Sequence, residues 1–204
     1  MSRNEPSRDL LIVGLGNPGP EYAASRHNLG WLCLDELARR FDVEMDRKRW
    51  RSLAGSTSRG GRRVWLVKPQ TWMNLSGQAV AGAVRDLDLD ASDVWVVHDE
   101  LDLPLCRLRI RLGGSGAGNN GVRSVIEQLG TPDFVRFRVG IGKPPSATAG
   151  IRYVLGGFGR SESERLPAVV GGVADALELA LGEGLKKAMD IYNRAGALGC
   201  EELV

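Results

Sequence analysis

The chain reads as α/β: a single-domain, mixed and largely parallel twisted sheet with helices on both faces, followed by a helical C-terminal tail. Two observations predict it. Short apolar, β-favouring runs alternate with segments of helical periodicity, and no internal repeat, low-complexity linker or composition break divides the 204 residues. A chain of this length can bury one sizeable core.

Leu10–Leu15 is an apolar run ended by glycine and proline, which reads as a buried first strand, and residues 14–20 then form a loop. From about Asn28 to Phe41 the positions Trp31, Leu34, Leu37, Ala38 and Phe41 recur at helical spacing, with Asp35, Glu36, Arg39 and Arg40 facing away. Arg63–Val67, Asp93–Val97, Arg107–Leu112 and Val135–Ile141 read as further strands, with helices at Leu75–Leu87 and Val122–Leu129. Ser161 and Ser163 precede a long helix from Glu164 to about Leu181; Gly182 and Gly184 punctuate it before a second piece to Asn193. Residues 1–9 are expected to be a flexible N-terminus, 10–195 the domain and 196–204 a C-terminal tail.

With 43% hydrophobic and 25% charged residues the composition excludes a disordered, collagenous or membrane class. Lys and Arg number 27 against 25 Asp and Glu, so the net charge of +2 implies no polyanion partner by itself. Distribution says more. Basic residues gather at Arg47, Lys48, Arg49 and Arg51, at Arg107, Arg109 and Arg111, and at Arg136 and Arg138, while acids concentrate around 86–102 and at the C-terminus. Such clusters suit a phosphate-reading face or a solvated charged surface. Cys33, Cys106 and Cys200 are scattered, odd in number and without C-x-x-C spacing, so neither a disulfide framework nor a zinc knuckle is expected, and a reducing compartment fits. Met1 to Asp9 lacks the apolar core of a signal peptide, and the most apolar C-terminal run is interrupted by Asp175 and Glu178. The expectation is a cytoplasmic protein without membrane contact.

Gly14, Gly16 and Gly19 match the G-x-G-x-x-G pattern of a dinucleotide fold. In that pattern a helix begins within the glycines and receives a pyrophosphate. Here Pro18 and Pro20 bracket Gly19 and push the preceding residues away from helical angles, and Asp35 and Glu36, at the distance of a ribose-binding acid, lie inside the first helix. The segment reads instead as a rigid loop presenting Asn17 at the carboxyl edge of the sheet, where open α/β sheets place their sites.

His27 and His98 are the two histidines, hence the two side chains whose ordinary titration suits a general base near neutral pH. His27 sits at a loop-to-helix junction. His98, Asp99, Glu100 and Asp102 follow a strand, so both segments can meet at one edge, where Asp99 could orient an imidazole and stabilise its charged form. Asn74, Asn119 and Asn120 open later helices; such amides cap helix starts, and three at one edge also suit recognition of carbonyl groups or stabilisation of an oxyanion. Gly113-Gly114-Ser115-Gly116-Ala117 falls one residue short of a nucleophile elbow, and the loop 113–121 lacks the ending of a nucleotide P-loop. Only Asp99, Glu100 and Asp102 offer a carboxylate-rich metal arrangement. Arg107, Arg109 and Arg111 alternate along a strand, which puts all three on one face that could track a nucleic-acid backbone. Water activated by His27 is the simplest chemistry.

Taken together, Val13-Gly14-Leu15-Gly16-Asn17-Pro18-Gly19, Glu21-Tyr22, Ser25-Arg26-His27-Asn28, Met73-Asn74-Leu75-Ser76-Gly77, His98-Asp99-Glu100-Leu101-Asp102, Asn120-Gly121, Val139-Gly140-Ile141-Gly142 and Tyr153-Val154-Leu155-Gly156 resemble the bacterial-type peptidyl-tRNA hydrolases over nearly the whole chain beyond residue 9. The resemblance implies hydrolysis of the ester linking a peptide, or an N-blocked aminoacyl group, to the 3′ end of tRNA by a cytoplasmic monomer, with no cofactor, no metal and no obligate protein partner. It assigns His27 as proton acceptor and Asp99 as its supporter. Asn17 matches the position that tells blocked from free aminoacyl groups; Met73, Asn74 and Asn120 match substrate-binding positions. Tyr22 and Trp72 match contacts to the tRNA end, and Arg111 and Arg138 match phosphate-binding positions. Three residues depart from the family's habit: Asn119 stands where histidine is usual, Trp72 where phenylalanine is common, and Cys106 where glycine is usual. An auxiliary role of that histidine must therefore be absent or pass to an amide. The alternative is an RNA-binding protein on the same scaffold without hydrolase activity.

Overall fold

Alternate residues of the central strands face opposite layers, and both sets are apolar. In β1 (Leu10–Gly14), Leu10 and Ile12 pack with one helical layer and Leu11 and Val13 with the other, all fully buried. A strand covered on both sides reads as an unbroken apolar run, and each such side chain contributes about 1.5–3 kcal/mol by leaving water. The computed structural model describes residues 8–116, 118–144 and 146–202; residues 1–7 of the expected flexible N-terminus lie outside these.

After β1 come α1 (Leu29–Arg40), the hairpin β2 (Arg47–Arg49) and β3 (Ser52–Arg59), β4 (Arg62–Pro69), α2 (Ser76–Asp86), β5 (Val94–Glu100), β6 (Leu108–Leu112), α3 (Asn120–Leu129) and β7 (Val135–Gly140). Four further helices follow: α4 (Gly150–Leu155), α5 (Arg160–Ser163), α6 (Leu166–Glu183) and α7 (Leu185–Tyr192). Seven strands among the described residues form one sheet, in the order β2-β3-β4-β1-β5-β7-β6. Its centre, β4-β1-β5-β7, is parallel; the hairpin at one edge and β6 at the other are antiparallel to their neighbours. One core joins α1 and α6 to the sheet through Leu34, Leu37, Val173 and Leu177, and the other joins α2 and α3 through Val80, Ala83, Val122 and Val125. The sheet is mixed, largely parallel and covered on both faces, as the sequence predicts. Among the described residues no helix is long and apolar enough to cross a membrane.

Several details differ from the sequence reading. The hairpin β2–β3 carries the exposed Arg47-Lys48-Arg49 and a run of mostly small residues, of which Ser52, Ala54 and Gly55 are buried, so no large apolar alternation announces it. β5 runs on through His98, Asp99 and Glu100, all buried; the two carboxylates and the His98 Nδ1 find partners inside the fold, while the buried His98 Nε2 has none among the described residues. β6 begins one residue after Arg107, and the Arg107 guanidinium is committed to Glu202 at 3.0 Å and the Asn193 carbonyl at 2.9 Å, whereas Arg109 and Arg111 are exposed. The expectation of unpaired cysteines is also corrected. Cys106 and Cys200, 94 residues apart, form a disulfide, while Cys33 is free and buried. Sequence spacing cannot reveal a pairing made by the chain's return. The same return buries Leu198 against Gly172, and the Asn193 side chain satisfies both the N–H and the C=O of Ile110 on the edge strand.

Candidate active site

The site is assembled where β1, β4 and β5 end. Gly14 and Gly30 let α1 lie directly on the strands: a Cβ on Gly14 would stand 2.4 Å from the Gly30 carbonyl oxygen, and one on Gly30 2.4 Å from that of Val97. This contact, which only glycine permits, brings the turn Arg26–Asn28 over the end of β5. There the His27 Nδ1 lies 2.9 Å from both carboxylate oxygens of Asp99. Asp99 is 3% exposed and His27 8%, so the couple is buried at the back of an open cleft of about 430 Å³. A carboxylate can only accept, so Nδ1 carries a proton, and in the neutral imidazole Nε2 is the nitrogen that keeps its lone pair.

Three amides fix the surroundings. Asn28 Nδ2 donates to the Asn17 carbonyl at 3.0 Å, and Asn28 Oδ1 accepts from the Asn17 N–H at 2.8 Å, which clamps the Gly16–Gly19 loop to the His27 turn. Asn17 Oδ1 accepts from the Met73 N–H at 2.8 Å, so the Asn17 amide offers its NH₂ as the remaining group. Asn119 Nδ2 donates to Asp99 Oδ1 at 3.0 Å, while its Oδ1 caps α3 through the Gly121 and Val122 N–H groups. Asn120 and Gly118 line the cleft with Leu101, Ile151 and Val154. Asn74 is exposed on the turn before α2, and Met73 is buried with its sulfur against Gly121.

The remaining expected residues fall into two places. Tyr22 and Trp72 meet edge to face, 5.9 Å between centroids, and Trp72 is 52% exposed. Arg111 and Arg138 line a second cavity of about 110 Å³ with His98, Glu100 and Arg136, and Arg138 Nε bonds Glu100 at 2.8 Å. His98 belongs there rather than with His27. Its Nδ1 bonds the Asp99 carbonyl at 2.8 Å, and burial lowers its pKa against the pull of Asp99 and Glu100. Among the described residues no three His, Cys, Asp or Glu side chains form a metal-holding group; Asp99 serves His27, and Glu100 serves Arg138.

Sequence reasoning missed the role of Arg26. It is buried, bonds Glu162 at 2.7 Å and the Gly157 carbonyl, and lies 4.0 Å over the Tyr153 ring, so it ties the His27 turn to α4 and α5. Its partners stand more than 120 positions away, and only its place beside His27 marked it.

A histidine–carboxylate couple beside amides, at the carboxyl edge of a largely parallel sheet, is an arrangement on an α/β scaffold that can carry acid–base chemistry. The family model for peptidyl-tRNA hydrolase matches residues 11–198. The chain belongs to the peptidyl-tRNA hydrolase family. Relatives named peptidyl-tRNA hydrolase include one from Chloroflexus aurantiacus, 48% identical over 90% of this chain and 98% of its own length, and one from Pelobacter propionicus, 46% identical over 92% and 97%. Among solved structures, peptidyl-tRNA hydrolase from Acinetobacter baumannii superposes with a TM-score of 0.85 at 29% identity, covering 98% of this chain and 99% of that one.

Proposed function

We propose that this protein hydrolyses the ester between the C-terminus of a peptide, or of an N-blocked aminoacyl group, and the terminal ribose of tRNA. The observation that carries the reading is the His27–Asp99 pair, both carboxylate oxygens 2.9 Å from Nδ1 and Nε2 left free as a base. His27 Nε2 takes a proton from water as the water oxygen attacks the ester carbonyl. The new imidazolium is stabilised by Asp99, and the proton then passes to the ribose oxygen as the carbon–oxygen bond breaks. The developing oxyanion needs a donor, and the cleft supplies the exposed Asn120 amide.

Asn17 suits discrimination at the amino end. Its Oδ1 is committed to Met73, so the group it presents is a donor, which pairs with the carbonyl of a blocked amine and repels a free ammonium. The exposed Trp72 and the half-buried Tyr22 offer aromatic rings for the unpaired terminal bases, and Arg111 and Arg138 offer charge to phosphates. No step requires a cofactor.

The test compares N-blocked and free aminoacyl-tRNA, each with and without a chelator. Cleavage of the blocked form alone, indifferent to chelator, is expected. Inertness toward both with retained tRNA binding would favour the non-hydrolytic RNA-binding scaffold.

A further inference from the structure

The turn between β2 and β3 is a two-residue loop: Arg49 is paired with Ser52, which leaves Trp50 and Arg51 at the tip with φ of 48° and 53°. Glycine or asparagine ordinarily fills such positions, because left-handed backbone presses Cβ against the following carbonyl. The large side chains here are kept against that preference. Trp50 is an anchor. Its ring meets Trp65 edge to face at 5.2 Å, and its Nε1 donates to Asp86 at 3.0 Å. Arg49 lies over the Trp50 ring at 4.4 Å and pairs with Asp86 at 2.6 Å, so one carboxylate locks both residues to α2.

The other cations of the tip have no such use. Arg47, Lys48 and Arg51 are exposed, and among the described residues none makes an ion pair; the Arg51 guanidinium bonds the Gln78 side chain. Their place matters. β3 runs antiparallel to β4, with Ser52 opposite Pro69, so the tip stands at the carboxyl edge that holds the His27 cleft. The Gln70 N–H donates to the Arg51 carbonyl at 2.8 Å, and Trp72 follows two residues later, no more than about 7 Å along the chain. A basic and aromatic edge therefore leads from Lys48 and Arg51 past Gln70 to Trp72 and Tyr22.

We propose that this hairpin tip is a second RNA contact, in which Arg47, Lys48 and Arg51 take backbone phosphates of the tRNA acceptor arm beyond its terminal nucleotides. The inference rests on the hydrolase reading above and deepens it. A polynucleotide fits better than an acidic peptide. Arg47 and Lys48 point to opposite faces of β2, which suits a repeating charge wrapping an edge, and the tip is continuous with the aromatic pair assigned to the terminal bases.

The experiment replaces Arg47, Lys48 and Arg51 together by Gln, leaving Arg49, Trp50 and Asp86 to hold the turn, with Lys48→Glu alone as a second variant. Hydrolysis of a full-length N-blocked aminoacyl-tRNA is compared with that of the same ester on a CCA trinucleotide, across a salt series. For full-length substrate the triple variant should raise KM roughly tenfold to thirtyfold at low salt and make the log–log salt slope shallower by about 2 to 3. Lys48→Glu should act in the same direction. The trinucleotide ends before the hairpin and should be cleaved as by the unsubstituted chain. Unchanged KM and slope on full-length substrate would overturn the proposal. So would losses that follow the acidity of the peptide on both substrates, which would make the tip a peptide contact. Should the unsubstituted chain cleave neither substrate, the hydrolase reading fails, and the same variants in a tRNA-binding titration still decide whether the hairpin holds RNA.

Discussion

Asn119 holds Asp99 and starts α3 at once: its Nδ2 donates to the carboxylate at 3.0 Å while its Oδ1 accepts from Gly121 and Val122 at 3.0 and 3.1 Å. Where the family pattern usually has histidine, an amide here holds the carboxylate that contacts His27. Asn119→Ala should destabilise the fold by about 1 kcal/mol through the lost cap and slow hydrolysis by freeing the carboxylate to turn. Asn119→Asp keeps the cap but sets a second negative charge beside the couple. That charge favours protonated imidazole, so the acid limb of the pH–rate profile should move to higher pH. An Asp variant with an unmoved limb would show that the contact does not reach His27.

The couple itself makes a sharper expectation. His27→Ala removes the base and should lower kcat by about 10²–10⁴ with tRNA affinity largely kept. Asp99→Asn is subtler. An amide can donate to Nδ1, which shifts the proton to Nε2 and removes the lone pair that water needs. Turnover should fall steeply and its pH dependence change. Undiminished turnover in His27→Ala, or an unaltered profile in Asp99→Asn, would count against the mechanism.

Much of this was legible because it is local. The apolar runs predicted the central strands, and Pro18 with Pro20 showed that the glycines open no dinucleotide site. Gly14 turns out to serve close approach by Gly30, a contact no spacing rule contains. What stayed hidden depends on distant partners. Arg26 bonds Glu162 from 136 positions away, Asn119 is tied to Asp99 from 20, and the β2–β3 hairpin lacks any apolar period because its charged edge faces solvent. His27 and His98 looked equivalent in sequence; one residue of β-strand alternation separates His98 from Asp99 and sends it to the other cavity.

The Cys106–Cys200 bond closes a long loop, with 94 residues of separation, over a C-terminal segment also fixed by Leu198 and Glu202. Cross-links of this kind typically contribute about 2–4 kcal/mol by restricting the unfolded chain. Cys200→Ser should lose that amount in urea unfolding. Cys106→Gly should lose less, because Cys106 sits at φ 70°, a conformation glycine adopts about 1 kcal/mol more easily. Free-thiol labelling that finds three reactive cysteines in the unfolded, unreduced protein would remove the basis for both.

His98 gives the stability a pH dependence whose sign follows from burial. Desolvation lowers its pKa in the fold below the ordinary value, more than the Asp99 carbonyl and the nearby carboxylates raise it, and Arg136 lowers it further. Above about pH 6.5, the unperturbed histidine value, both folded and unfolded chains carry neutral His98, and its contribution to stability is fully present. As pH falls below that, the unfolded chain takes up a proton that the folded one resists, so stability declines toward the lowered folded value. His98→Asn keeps a polar side chain without a titrating one, and should flatten the loss of unfolding free energy between about pH 6.5 and 5 relative to the unsubstituted chain. Parallel stability curves for the two proteins over that interval would mean that His98 takes up its proton in the folded state as readily as in the unfolded one.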